Sequence, residues 1–542
     1  MELTLQKTTN STYLLDNYKS LVKNVGTENE DWSDAIDVIF QNVKNNGGGS
    51  ITFSDNYSYG FSRSILCDDL NNVSLIGGNN IILKKNSDFN KSSGIRLFNM
   101  NYSSNLFIRD LKFIGISDVN NSNWDDTILM DYDASNVLIE NCKFENVATA
   151  LDIGSDHEKN SETICSNIII QNCKFNNVGQ CYTTHPGGAK HVIFRDNTAN
   201  NIKVMYKTSC RIKNEGYINI YNNYINNTNI GFDFVNSPNI NCYNNVIINA
   251  KEYAIQSEDY EDTQGTGFEG ISYDLSNWNI RNNIFEECNT FIRIITDTTK
   301  TLDGLNISNN IFRNKSIESN DSIKLVGNIK NVSIKNNTFD NIKLNNNSLF
   351  YIYNTCIRLI AEQSQFGEIC NNIINNCKGK AFIYFQGNSE KLSDFILKDN
   401  REYKSNLAFI ISDYILIKDS SIINNKFNNT TNTNAMITGN YNNTVFKDNE
   451  IQTVATDILA NISVPTCKLI NNIFSNTATN GVAFRLAQST GNTFLKDNTF
   501  TGEARLFDKY SYEDYIEIQS PNGTKYKINV SNSGSVIATK QN

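Results

Sequence analysis

The chain has 542 residues, only four of them proline, and a formal net charge of −9. An acidic balance with no basic stripe excludes nucleic acid as a partner. The scarcity of proline suits paired strands, since proline cannot donate to a backbone ladder.

In chain order, residues 1–29 read as a polar lead. Met1–Lys7 holds no apolar run of leader length, and no stretch is long enough to span a membrane. The chain is therefore expected to be made in a cytoplasm and to leave by a route such as lysis. Trp32, Ala35, Ile36, Ile39, Phe40 and Val43 then recur at helical spacing. Gly47-Gly48-Gly49 ends that helix before a strand at Ser50–Phe53. The helix is expected to cover the open end of a strand stack.

The stack is written as a repeat. Asn279–Phe285, Asn306–Phe312 and Ser333–Phe339 are versions of one phrase, which returns at Lys468–Phe474 and Phe494–Phe500. Its second Asn recurs at Asn197, Asn223, Asn245, Asn283, Asn310, Asn337, Asn372, Asn400, Asn425, Asn449, Asn472 and Asn498. Cys173, Cys142, Leu111 and Gly78 take that slot in earlier copies. Most intervals run from 22 residues (Asn223 to Asn245) to 28 (Asn372 to Asn400). A period in the twenties means stacked units that bury their apolar faces only against one another. Within a unit the apolar residues alternate, as in Val137–Ile139, so the units are strands. One Asn per coil then predicts a ladder of side-chain amides along the axis.

This pattern resembles the right-handed parallel β-helix proteins of the pectate-lyase type over roughly residues 30–500. The resemblance implies an all-β solenoid with an N-terminal capping helix, divided as lead and cap 1–49, β-helix 50–506 and a C-terminal β module 507–542. It leaves function open among lyases, hydrolases, epimerases, adhesins and phage tailspikes. The helix followed by Gly-Gly-Gly is similar to the opening of many β-helix proteins that act on polysaccharides.

About ten residues after each marker comes another short strand, and these are expected to align as the first sheet. Alternation turns Leu151, Ile153, Phe232 and Phe234 inward and Asp152 and Asp233 outward. The expected outward column includes Asp131, Asp152, Tyr182, Lys207, Asp233, Gln256 with Glu258, and Arg293. The chain's three histidines, His157, His185 and His191, fall in one short window. His157 and His185 follow the first-sheet strands of two successive coils; His191 reads as structural. Catalysis is therefore placed on Asp152, His185, Asp233 and Glu258, with Asp131, Tyr182, Lys207 and Arg293 as substrate contacts. The alternative to each acid's catalytic role is a plain solvating group on an exposed strand.

No cofactor is firmly implied. The acidic stretch Glu258–Gly267 could hold a divalent cation such as Ca²⁺, but its spacing matches no EF-hand and a solvated loop is the simpler reading. The twelve cysteines show no metal-ligand spacing and read as small buried residues, with disulfides the alternative.

Ile516–Thr539 reads as two strands around Pro521-Asn522-Gly523 and a third after Asn532-Ser533-Gly534. This tail resembles one found on tail and baseplate proteins of phages of Gram-positive bacteria. That resemblance implies a virion tail component made without a signal peptide, a receptor-binding depolymerase working as a homotrimer beside other tail proteins. Its partner would be a host surface polysaccharide or teichoic acid, with no nucleic acid and no membrane. Hydrolysis is the expected reaction. A polysaccharide lyase, using Tyr182, His185 or Lys207 as base, and a binding-only tail protein stay open.

Overall fold

In the computed structural model, the described residues are 11–90, 96–116, 126–154, 165–184, 188–209, 216–235, 237–258, 275–296, 301–316, 320–354, 364–428, 436–454, 460–478, 482–486, 494–501, 503–505, 516–519, 524–530 and 536–540. One coil shows how the rest are built. Ser135–Glu140 lies in the second sheet, and Asn141 turns the chain at φ 53°. Lys143–Ile153 then crosses the third sheet, bends at Asn146 (φ 56°) and continues into the first sheet. Each part pairs in parallel with its equivalent one coil on: Val137 with Ile168, Phe144 with Phe175, Leu151 with Tyr182. Repetition of this pattern makes the all-β, right-handed parallel β-helix.

The repeated phrase accounts for the turn residue by residue. Its first Asn takes the left-handed backbone region, at φ 55° for Asn282 and Asn309 and 56° for Asn336. Asn is the non-glycine residue best suited to that region, because its short amide bonds locally. The second Asn is buried, with Asn310 only 1 % exposed. Asn310 Nδ2 donates to Ile280 O at 2.9 Å and to Asn337 Oδ1 at 3.1 Å. Asn337 Oδ1 also accepts from Asn310 N at 2.9 Å, and Asn337 repeats the set toward Asn372. The ladder continues in this way from Asn197 to Asn498. The next residue points outward, as at Ile311 and Ile373, and the apolar residue after it, Phe312 or Ile374, points in.

Those phenylalanines stack coil on coil. Phe113, Phe144 and Phe175 have ring centroids 5.0 and 5.2 Å apart and lie within 9° of parallel. Phe285, Phe312 and Phe339 repeat the arrangement at 5.0 and 4.8 Å. Burying one such ring contributes about 1.5–3 kcal/mol, and where the slot holds Ala199, Ile225, Ile247 or Ile374 an aliphatic side chain takes the place of the ring.

The helix α1 (Ser33–Asn45) packs at the N-terminal end, with Ala35, Ile36, Ile39, Phe40 and Val43 buried. Phe40 meets Phe98 edge-on at 5.9 Å. The lead is less idle than its polarity suggests. Thr12–Leu14 pairs in parallel with Ser50–Thr52, and Leu15 is buried. Ile516–Gln519, Lys525–Val530 and Val536–Lys540 form a separate three-stranded antiparallel sheet, the predicted tail hairpin and its third strand.

The ten described cysteines are all buried free thiols. Burial pushes Cys288, Cys377 and Cys467 up to about 12, so they behave as small apolar residues rather than nucleophiles. No helix among the described residues is long and apolar enough to cross a membrane.

Candidate active site on the first sheet

The first-sheet strands come into register as one outward column. Leu129 lies opposite Asp152, Asp152 opposite Thr183, Lys207 opposite Asp233, Asp233 opposite Gln256, and Gln256 opposite Arg293. Tyr182 opposite Tyr206 puts Thr183 beside Lys207 and closes the series. Asp152, Lys207, Asp233 and Arg293 therefore share the face that alternation assigns to them.

Tyr182 does not. It is fully buried inside the helix, with its hydroxyl donating to Ile153 O at 3.1 Å. Its ring stacks on Tyr206 at 4.7 Å and 16°. Tyr182 is an inward residue in line with Leu151, and the outward residue of its strand is Thr183. The slip comes from a strand whose neighbours Cys181 and Thr183 are also buried, so alternation alone gives no phase. A constant offset of ten from the marker does give it, because Cys142 to Asp152, Cys173 to Thr183 and Asn197 to Lys207 are equal steps.

Asp131 stands two residues farther along than this column, and the backbone of Glu258 lies at the same register position. Met130 pairs with Ile153, which sets Asp131 beside Gly154. Glu258 closes its strand opposite Ile295.

The acids are not exposed as the alternation predicts. Asp152 is 1 % exposed, and Asp131 and Asp233 are 5 % exposed. A side chain in the middle of a column is flanked by the coils on either side, about 4.8 Å away. For Asp152 those flanks are Leu129 and Thr183, themselves buried. Lys207, with 38 % of its side chain exposed, brings Nζ to 4.0 Å from Asp233 Oδ2 on the next coil. Burial matters chemically because carboxylates out of water interact strongly with any charge that enters beside them.

Register also sets separations. Asp152 and Asp233 are three coils apart, roughly 14 Å, too far for an acid–base pair. Asp131 and Asp152 are one coil and two residues apart, about 8 Å between Cα atoms at standard strand spacings. Asp233 and Glu258 bear the same relation.

His157 and His185 lie outside the described residues, as does the acidic stretch from Asp259 to Gly267. His191 is a turn residue at φ 54° with its ring 4.9 Å from Tyr217, consistent with a structural role. Among the described residues no three His, Cys, Asp or Glu side chains gather as a metal site.

The column continues beyond Arg293 in a way the alternation pattern does not disclose. Arg293 is opposite Lys324, Lys324 opposite Tyr351, and Tyr351 opposite Tyr384. The Arg293 guanidinium lies 5.0 Å from the Tyr253 ring, and the Lys324 ammonium 5.3 Å from that of Tyr351. Tyr351 donates to Gln386 Oε1 at 2.8 Å and Tyr384 to Asp413 Oδ2 at 2.9 Å. A concavity of about 480 Å³ lies elsewhere, at the turn between the second and third sheets beside Arg109, Glu140, Lys174 and Asp196. Its rim is largely self-satisfied: Gln171 donates to Glu140 and Asn141 to Asp110.

No family model and no curated protein matches the chain. Among solved structures it is similar to a hyperthermoactive exopolygalacturonase from Thermotoga maritima, at 14 % identity and a TM-score of 0.42, over 60 % of this chain and 92 % of that one. It is also similar to the tailspike protein of E. coli bacteriophage HK620, solved with a pentasaccharide, at 11 % identity and a TM-score of 0.41, over 96 % of this chain and 84 % of that one. A third is the A-module of a mannuronan C-5 epimerase from Azotobacter vinelandii, at 10 % identity and 0.32, over 91 % and 99 %.

Proposed function

We propose that the chain is a phage tail depolymerase that binds a host surface glycopolymer and hydrolyses it on the outer face of the first sheet. The polymer would be capsule, exopolysaccharide or wall teichoic acid. The observation that carries this reading is a pair of buried acids, Asp131 and Asp152, on neighbouring coils and two residues apart along the strand. Their backbone separation suits two carboxylates that flank a scissile bond with a water between them.

In the reaction, Asp152 takes a proton from the attacking water, whose oxygen bonds to the reacting carbon. The bond to the leaving oxygen breaks, and that oxygen receives a proton from the partner acid, Asp131 or His185. Asp233, with Lys207 beside it and Glu258 on the following coil, forms a second group of the same kind farther along the rod. Lys207 and Arg293 hold the polymer. A cation on the acidic stretch stays a proposal of the same order. The tail sequence around Ser520–Thr524 supports a Gram-positive host and a place in the virion tail, where residues 507–542 would clamp a homotrimer.

Burial favours a second reading. With Asp131, Asp152 and Asp233 all covered, a receptor-binding protein that releases no product would use the same face as a grip. The lyase option is weaker, since Tyr182, one of its three bases, is inside the helix. The deciding experiment incubates wild type, Asp152→Asn and Asp233→Asn with host cell walls and follows reducing ends and phosphate. Release by wild type and loss in at least one variant supports hydrolysis. Equal release by all three places the chemistry elsewhere, and binding with no release supports the receptor-binding protein.

A further inference from the structure

The first-sheet face changes character at Gln256. Before it stand Asp152, Thr183, Lys207 and Asp233; after it stand Arg293 and Lys324 on adjacent coils in direct register, then Tyr351 and Tyr384. Like charges opposite one another on one sheet face repel and destabilise the pair. Here the two cations lean apart, Arg293 toward Tyr253 on the preceding coil and Lys324 toward Tyr351 on the following one. Ring faces attract cations electrostatically and leave the charge itself in place. The two cations thus stand on adjacent coils of one face, with Asp321 close enough to Lys324 to feel its charge.

A second observation sits one coil back. Gln256 is 7 % exposed, and its Oε1 is buried with no hydrogen-bond partner. A buried acceptor left without a donor costs free energy unless a ligand group supplies one. The rest of the chain sharpens the point. With a net charge of −9, the protein as a whole repels polyanions, so attraction has to be local.

We propose that the face from Gln256 to Tyr351 is the grip for an anionic glycopolymer, with one negatively charged group seated between Arg293 and Lys324. Gln256 Oε1 accepts a hydroxyl of the sugar on the acid side, which aligns the chain with Asp233 one coil earlier. This rests on the depolymerase reading for its placement of the polymer along the rod, but not on any bond being cleaved. The anion is a carboxylate or a phosphate, both of which an Arg–Lys pair recognises.

The test measures binding of the full chain to polygalacturonate, poly(glycerol phosphate) and dextran, so that carboxylate, phosphate and neutral polymers are compared. Binding to one or both anionic polymers and not to dextran is expected, and which of them binds names the anion. Affinity should fall as salt is raised from about 50 to about 500 mM, because added ions screen exposed charges. Arg293→Gln with Lys324→Gln should weaken binding about tenfold or more at an unchanged melting temperature. Dextran bound as tightly as the polyanions, neither polyanion bound, or unchanged affinity in the folded double variant each overturns the proposal. Polyanion binding without any cleavage of cell walls would remove the hydrolase reading and leave this one standing. Cleavage of a neutral glycan by the double variant would do the reverse.

Discussion

Two columns run the length of this rod, and they differ in kind. At the ladder turn, coil after coil carries the same residue in the same bonds: Asn310 and Asn337 make matching sets to backbone and to the next amide. On the outer face of the first sheet every coil is different, running from Asp152 through Thr183, Lys207, Asp233, Gln256 and Arg293 to Lys324. Repetition is what stacking asks of a column, since identical side chains pair best with themselves. Variation is what stacking alone would remove. A repeat protein therefore separates its structural positions from its chemical ones by how far they depart from the period.

Substitutions on the face and in the ladder should split along that line. The largest effect is expected from Asp152→Asn, which should lower product release from cell walls by on the order of 10²–10⁴-fold while leaving polymer binding in place. Retained release would move the chemistry off this face. Asn310→Ala should do the opposite, costing about 1–3 kcal/mol in a urea titration by leaving turn backbone unpaired and sparing release. An Asn310→Ala protein as stable as wild type would mean that the ladder bonds contribute nothing net.

Tyr182 sharpens the division, because it faces the first sheet's inner side. Tyr182→Phe loses one hydrogen bond, to Ile153 O, and should cost about 1 kcal/mol with no change in KM. A raised KM would return Tyr182 to the substrate.

A further expected effect is a drift of stability with pH. Burial raises the Glu402 carboxyl to about 7, against the backbone N–H groups of Ser405 and Asn428 that favour its charged form. Its folded pKa is above its unfolded one, so the folded state binds the extra proton. The contribution is fully present below the unfolded carboxylate range and is lost as pH rises through about 7. Denaturant midpoints for wild type and Glu402→Gln should converge at low pH and separate as pH rises, and parallel curves would count against it.

Most of the fold was legible because its turn is written in residue types with few other uses. An Asn in the left-handed region, a buried Asn, an outward aliphatic and an inward Phe form a phrase that survives the loops around it. The face was legible only in part. Asp152, Lys207, Asp233 and Arg293 follow a fixed ten-residue step from their markers, while Gln256 needs eleven because the strand pairing shifts between Thr228 and Ile230. Lys324 and Tyr351 lie fourteen residues past Asn310 and Asn337, so insertions between the third and first sheets hid the cationic half. Burial of the acids was not legible at all, since it depends on what surrounds them in space.

The ladder also makes length a countable quantity. Asn425 presents to Asn449 the same groups that Asn449 presents to Asn472. No rung carries a mark of its own position. Excising residues 449–471 would remove one whole period and set Asn425 against Asn472 with the ladder bonds re-formed, whereas excising a few residues would leave two half-turns that cannot meet. The molecule is a ruler graduated in coils of about 4.8 Å, shortened or extended by whole graduations while the first-sheet face from Asp152 to Lys324 stays where it is.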